Sequence, residues 1–506
     1  MNRILVSILS VVIGSSVSTI EAQIPEIGKS ARYCNPLPMV KATGGYAAGD
    51  VTVIKDGGKY YMFCTGGGAW VSDDMLNWSF QRVEGVPIAP DVIKYNGSFY
   101  MCGNDGPLYK ADNPLGPYIS LGEWKNTPDV AAGWNGAFDM DVYIDDDNTP
   151  YLYYAGRGVS GIFAVKLDPG DLTRFAGPVR HLIRFNSDHV WERYGEMNEY
   201  NDVAWVEGPW MQKHNNRYYL QYSASGTQWK TYAGGYYISD SPVGPFRYAP
   251  NNPLMRKTEG LVTGTAHGSI VEGPDGNFWQ FYTIVLSNPP GGRRIGMDRV
   301  TFDKDGYMSV KITDTPQWAP GVINDPIKGD SGSIPVTINK IRAMNALSKF
   351  SSEQPGRFAA YSVDNSSGTW WEPEPADPSP ALTIELSPAT RFDVVQLFTI
   401  DGVRIMFNGG RMRFGRASAA QQSEDVYKYR IEVSMDGKEF FTALDQTDNK
   451  TPRDTIFEEI PPVKCRFVRL TLTGWPKTAP LGIIEFTVFG KSAGSLPAEQ
   501  PIPVTD

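Results

Sequence analysis

The chain has 506 residues, more than one compact domain usually holds. Aromatic residues make up 12% of it, and 52 glycines and 38 prolines punctuate it, which suits many short strands joined by tight turns and argues against a helical protein. The net charge of −9 argues against a surface made for a phosphate backbone, so no nucleic-acid partner is expected.

In chain order, the first feature is a leader. Asn2-Arg3 gives a short positive start, Ile4 to Val17 is mostly apolar, and small or polar residues follow up to Ala22-Gln23. Residues 1–22 are expected to be a signal peptide, with an apolar core too short to span a bilayer. No Cys follows that core closely, the first being Cys34. A secreted or periplasmic protein is therefore expected rather than a lipid-anchored one. No later segment is apolar enough to predict membrane insertion.

From residue 31 a pattern recurs five times: a polar residue opens a short apolar run, a turn with Gly, Asn or Asp follows, and an aromatic-rich strand comes next. The copies are GDVTVIKDGGKYYMFCTG from Gly49, PDVIKYNGSFYMCGN from Pro90, FDMDVYIDDDNTPYLYYAG from Phe138, VEGPWMQKHNNRYYLQYSA from Val206 and AHGSIVEGPDGNFWQFYT from Ala266. Each reads as a hairpin with turn residues where a tight turn needs them. Further strands follow several copies, as in AWVSDDMLNW (69–78) and RIGMDRVTFDKDGYM (294–308). Hairpin plus outer strands, repeated five times over residues 31–315, predicts a five-bladed β-propeller. Cys64 and Cys102 end similar strands; buried free thiols are the expected state, and a disulfide between neighbouring strands is the alternative.

In a propeller the first strand of each blade lines the central axis, so residues of equal phase converge. The residues read as phase-matched are Asp50, Asp91, Asp139, Glu207 and His267. Four carboxylates around one axis cost stability through repulsion and desolvation, which marks a site rather than packing.

The motifs GDV, APDV, FDMDVYIDDDN, VEGPW and AHGS open the five blades in an order that resembles glycoside hydrolase family 43. The resemblance implies that Asp50 is a general base activating water and that Glu207 is the general acid. It implies that Asp139 raises the acid's pKa and orients it. The implied reaction is single displacement with inversion, which needs base and acid about 6.5–9.5 Å apart. Val51 and Met140 stand where the family usually has Pro, and Asp141 is a rival for the role of Asp139. Asp91 is expected to line the pocket. His267 fits a core histidine, a ligand of an ion on the axis or a donor to the carboxylates; the family places a histidine near the active centre, which favours the last two. Trp70, Trp229 and Arg294 follow blade strands where substrate contacts often arise. The chemistry requires no cofactor and no catalytic metal; a structural calcium is the one ion this reading leaves open.

Residues 316–338 are rich in Pro, Gly and Asp and read as a linker. A second domain over 339–491 alternates in ALTIELSPATRFDVVQLF, YKYRIEVSMDGKEF and CRFVRLTLTGW, and predicts a β-sandwich. Trp370-Trp371, EVSMDGKEF, RFVRL and LGIIEF give it a resemblance to the discoidin (factor 5/8 type C) fold shared with carbohydrate-binding module family 32. That resemblance implies a sugar-binding module; a structural module packed on the propeller is the alternative. The Pro-rich tail 492–506 is expected to be disordered. The resemblances together imply a monomeric hydrolase removing α-L-arabinofuranose or β-D-xylose from plant-type saccharides. Galactose- or galactofuranose-releasing activity, a non-catalytic carbohydrate-binding propeller, and a phosphorolytic enzyme drawing on Arg293-Arg294 are the alternatives.

Overall fold

The computed structural model describes residues 31–39, 48–65, 67–104, 106–127, 134, 137–287, 292–322, 329–337, 347–386, 394–408, 426–476 and 481–497. The expected signal peptide lies outside them.

Each predicted hairpin forms the inner half of an antiparallel sheet. The first sheet orders Gly49–Asp56, Lys59–Thr65, Ala69–Ser72 and Ser79–Gln81 from the inside outward. The inner strands of the other four are Asp91–Tyr95, Phe138–Ile144, Glu207–His214 and Ala266–Glu272. Each inner strand packs against the next, and the fifth packs against the first. There the Val53 N–H donates to Ser269 Oγ at 2.9 Å. The first and fifth sheets also share one apolar core, in which Val53, Met62 and Trp70 meet Trp279, Phe281 and Met297. The fold is the predicted five-bladed propeller followed by a β-sandwich. All four cysteines are buried free thiols.

Among the described residues the sandwich has a four-stranded and a five-stranded sheet. Apolar residues at every second position, such as Leu382 and Ile384 facing Ile405 and Phe486, form its core. Its described strands overrun the expected borders. Ile334–Pro335, inside the segment read as a linker, pairs with Ile483–Pro497. Gln317–Trp318, also in that segment, pairs with Arg32–Tyr33 beside the propeller. At the other end the strand runs on to Pro497, Ser492 standing opposite Phe398, so residues 492–497 are paired backbone rather than a disordered tail. Their ladder hydrogen bonds with Val394–Phe407 outweigh the local composition that suggested disorder. Residues 498–506 lie outside the described residues.

The two domains are fused by a buried contact. Met406 and Ile484 of the sandwich enter the apolar core of the fifth blade beside Ile284 and Val300. Arg404, fully buried, donates through Nη1 to the carbonyls of Asn35 at 2.6 Å and Asp314 at 3.0 Å, and through Nη2 to Thr487 Oγ1 at 3.2 Å. Arg32 adds a bond to Glu459 at 2.6 Å and one to the Asp401 carbonyl at 2.6 Å. Arg404→Ala would strand two carbonyls and open a cavity in this seam. A loss of about 3–5 kcal/mol is expected, read as a lower midpoint in urea unfolding of the whole chain.

Candidate active site

The inner strands open with a shared irregularity. Pairing with the second strand shifts between Gly49 and Thr52, Phe138 and Asp141, Glu207 and Trp210, and Ala266 and Gly268. Within these bulges Asp50, Asp139, Gly208 and His267 have φ of 51°, 48°, 58° and 40°. In the second blade Ala89, at φ 47°, sits just before the strand. For non-glycine residues this left-handed region costs of order 1 kcal/mol or more, and it persists only where neighbours hold it. Here neighbouring blades do so. The N–H of Asp50 donates to Thr283 Oγ1, that of Ala89 to Thr65 Oγ1, that of Asp139 to Asn104 Oδ1 and that of His267 to Ser223 Oγ, all at 2.7–2.8 Å. The N–H of Gly208 donates to Asp139 Oδ2 at 3.1 Å.

This geometry corrects the phase assignment read from the sequence. Asp50, Asp139 and His267 are equivalent, as expected, but their counterparts in blades two and four are Ala89 and Gly208. Glu207 stands one position earlier, in the place of Phe138. Asp91 belongs to a deeper layer. Its carboxylate accepts from Val142 N at 3.0 Å and Thr52 Oγ1 at 3.3 Å, while Asp141 accepts from Met211 N at 3.1 Å. Both carboxyl groups are buried and pushed up by burial, Asp91 to about 7; the proximity of Asp91 adds to the rise at Asp141. Asp91 and Asp141 thus staple adjacent inner strands. The bulge breaks the period of two that made Asp141 a rival of Asp139.

Asp50 is the carboxylate of the site that faces a guanidinium. Arg293 Nη1 reaches its two oxygens at 2.8 and 2.7 Å, and Thr65 Oγ1 donates at 2.7 Å. His267 Nδ1 lies 3.3 Å from Asp50 and 3.7 Å from Asp139. Burial by itself would raise the pKa of Asp50; Arg293, then His267, then the hydrogen bonds from Thr65 and Arg293 overcome it and hold the group below the ordinary carboxylate value. Gly49 is needed for this approach, because a Cβ there would lie 2.6 Å from the Arg293 guanidinium.

Glu207 and Asp139 are treated in the opposite way. Burial pushes Glu207 up to about 8 against the hydrogen bond donated by Tyr232 OH at 2.8 Å, and Asp50 adds to the rise. Asp139 is pushed up to about 7, first by burial and then, against the pull of His267, by Glu207 and Asp50. Asp139 is tied to the residue after Glu207 through the Gly208 N–H. One site therefore holds an ionised carboxylate beside two that favour the proton, the arrangement that divides acid from base.

A cavity of about 280 Å³ opens over Glu207, lined also by Asn104, Phe138, Arg157, Trp205, Thr227 and Gln228. Phe138 and Trp205 meet edge to face there, with ring centroids 5.8 Å apart. Three sequence-predicted contacts lie elsewhere. Trp70 is buried in the first blade against Phe80, because its strand position faces the neighbouring sheet. Trp229 packs edge-on against Tyr194 and is not among the lining residues, although Gln228 beside it is. Arg294 points away from the axis to Asp454 at 3.1 Å, because alternation along the strand puts it opposite Arg293. The sequence reading missed Arg293, Thr65 and Tyr232; Arg293 was visible only as half of a tempting basic pair. Among the described residues no group of three or more His, Cys, Asp or Glu is placed to hold a metal ion.

Comparison with known proteins bears directly on this arrangement. Over 210 residues the chain is 32% identical to a β-D-galactofuranosidase of Aspergillus niger, a match taking in 40% of this chain and 53% of that protein. It is 27% identical over 285 residues to a xylosidase/arabinosidase of Humicola insolens, covering 47% of this chain and 79% of that one. It is 32% identical over 258 residues to an arabinoxylan arabinofuranohydrolase of Paenibacillus polymyxa, covering 44% and 39%. The chain thus spans about half the length of the first of these relatives. A crystal structure of a thermostable family-43 glycoside hydrolase aligns with 57% of this chain and 99% of its own, at 27% identity and a TM-score of 0.48. Residues 406–486 match the F5/8 type C domain. Glycosyl hydrolases family 43 matches residues 44–308, just over half of the chain and the stretch that carries Asp50, Asp139, Glu207 and His267; the chain belongs to that family.

Proposed function

We propose that the chain is an exported glycoside hydrolase that releases terminal α-L-arabinofuranose or β-D-xylose from plant-type polysaccharides or oligosaccharides with inversion of configuration. The observation that carries this is the opposed treatment of two buried carboxyl groups: Arg293 holds Asp50 ionised, while burial holds the proton on Glu207. Asp50 takes a proton from water as that water attacks the anomeric carbon. Glu207 gives its proton to the departing oxygen as the C–O bond breaks. Asp139, bonded to Gly208 N–H, fixes the backbone behind the acid. The cavity over Glu207, with Phe138 and Trp205 on its wall, supports binding of a sugar ring beside the acid. The relatives named as xylosidases, arabinosidases and an arabinofuranohydrolase support a pentose; the β-D-galactofuranosidase supports galactofuranose as the second reading. The leader pattern of residues 1–22 supports export.

Glu207→Gln keeps the shape and the acceptor for Tyr232 but has no proton to give. Turnover of natural glycosides should fall about 10²- to 10⁴-fold, and turnover of an aryl glycoside with a very good leaving group much less. Equal losses on both substrates count against the acid role. The same variant has a stability signature. Glu207 and Asp139 keep their protons in the folded state up to about 8 and 7, and burial raises Asp91 and Asp141 in the same direction, whereas in the unfolded chain these groups lose their protons near pH 4. Between those limits the folded state binds more protons, so stability must fall as pH rises from about 4 to 8. The melting temperature should drop over this range, and Glu207→Gln should drop less.

Asp50→Ala should abolish turnover, with azide restoring part of it by attacking without a base. NMR of the first product of the native enzyme should show the anomer opposite to that of the substrate. A retained anomer would mean a covalent intermediate and would sink the inverting mechanism together with the base assignment of Asp50.

A further inference from the structure

The arginine that governs Asp50 is itself gripped from outside the propeller. Arg293 is the first residue of the strand Arg293–Phe302 and pairs with Val285, so it sits at the loop end of that hairpin, one residue after Gly292, whose carbonyl accepts from Leu286 N at 3.0 Å. Two contacts from the sandwich close on that hairpin. On one side, Ser367 Oγ accepts from Ser287 N at 2.9 Å. On the other, Arg294 is held by Asp454 Oδ2 at 3.1 Å and by Thr455 Oγ1 at 3.2 Å, while its Nη1 donates to the carbonyl oxygen of Arg293 at 2.9 Å. The Arg294 and Asp454 side chains are only 13% and 20% exposed, so solvent screens the pair weakly. Asp454 and Thr455 are rigid in turn: the Asp454 carbonyl accepts from Phe407 N at 2.8 Å, and Thr455 stands opposite Met406, which is buried in the core of the fifth blade.

We infer that the C-terminal sandwich is a working part of the active site: Asp454 and Thr455 are positioning residues that act through Arg294 to fix the backbone from which Arg293 reaches Asp50. The inference rests on the reading of Asp50 as the base. Arg293 spans both oxygens of Asp50 with a single nitrogen, beside Gly49 with no room for a Cβ, so a small shift of its main chain breaks the contact. Thr65 Oγ1 also donates to Asp50; the titratable groups facing it besides Arg293 are His267, Glu207, Asp139, Tyr232 and Cys64, and among these His267 favours its ionised form by charge. With Arg293 displaced, His267 and Thr65 are left to oppose burial, and Asp50 holds its proton to higher pH.

The test is the double variant D454A/T455V in the full chain. The acid limb of its kcat/KM profile should move up by about one pH unit, roughly a tenfold loss on the acid side of the optimum, while Thr455→Ser keeps the native profile. A lower melting temperature with an unmoved acid limb would mean that the contact is only structural, and would overturn the inference. Should the double variant fail to fold, Arg294→Lys keeps the charge but cannot hold three partners, and it should show the same shift. Crystal structures of the native protein and the variant give a readout independent of turnover. Loss of the Arg293–Asp50 contact in the variant supports the inference, and its retention refutes it. If the native enzyme cleaves no glycoside, the functional reading fails while the crystallographic comparison still decides the positioning role.

Discussion

The structure depends on one backbone constraint: each inner strand must begin with a left-handed residue whose N–H is captured across the blade boundary. That turn lifts Asp50, Asp139 and His267 out of the ladder and aims them at a common centre. It also locks neighbouring blades together, since the captor in each case belongs to the adjacent blade. Strain and closure are thus one device. Backbone energy spent at the site is offset by hydrogen bonds that also hold the ring together.

Electrostatics at the centre follows from that placement. Buried carboxylates all resist ionisation, and what separates them is their partners. Asp50 has a guanidinium on both oxygens and a threonine hydroxyl as well. Glu207 accepts from a tyrosine hydroxyl, and its neighbours include another carboxylate. Asp91 and Asp141, a few residues along the same strands, answer to a different demand. They accept main-chain N–H groups of the next blade, and their chemistry is spent on holding strands.

The sandwich is fused to the propeller through buried polar groups as much as through apolar ones. Arg404 spans Asn35, Asp314 and Thr487, and Arg294 spans Arg293, Asp454 and Thr455. Trp371 lies in the sandwich core and Trp370 packs against the fifth-blade core, so the paired tryptophans that marked the domain in the sequence serve packing. Such a seam transmits position from one domain to the other, because neither guanidinium can move without leaving several partners unsatisfied.

The sequence by itself determined the number of blades, because each hairpin carries its own turn residues and apolar alternation, and these are local. It also pointed to Asp50, Asp139, Glu207 and His267 as residues that meet, because the opening motifs recur in order and the family pattern covers them. It could not separate Arg293 from Arg294, two identical neighbours that alternation sends to opposite sides of the strand. Only the location of the axis and of the sandwich says which side is which. The same holds for Trp70, whose strand position is legible but whose neighbour is the core of the fifth blade. Bulges add a residue without any fixed signature, so the offset between Glu207 and its apparent phase-mates was invisible along the chain. What tertiary structure alone decided was partnership: which carboxylate receives a guanidinium, which receives an N–H, and which is left to burial. Those partners come from residues far apart in sequence, and no local pattern encodes the distance between them.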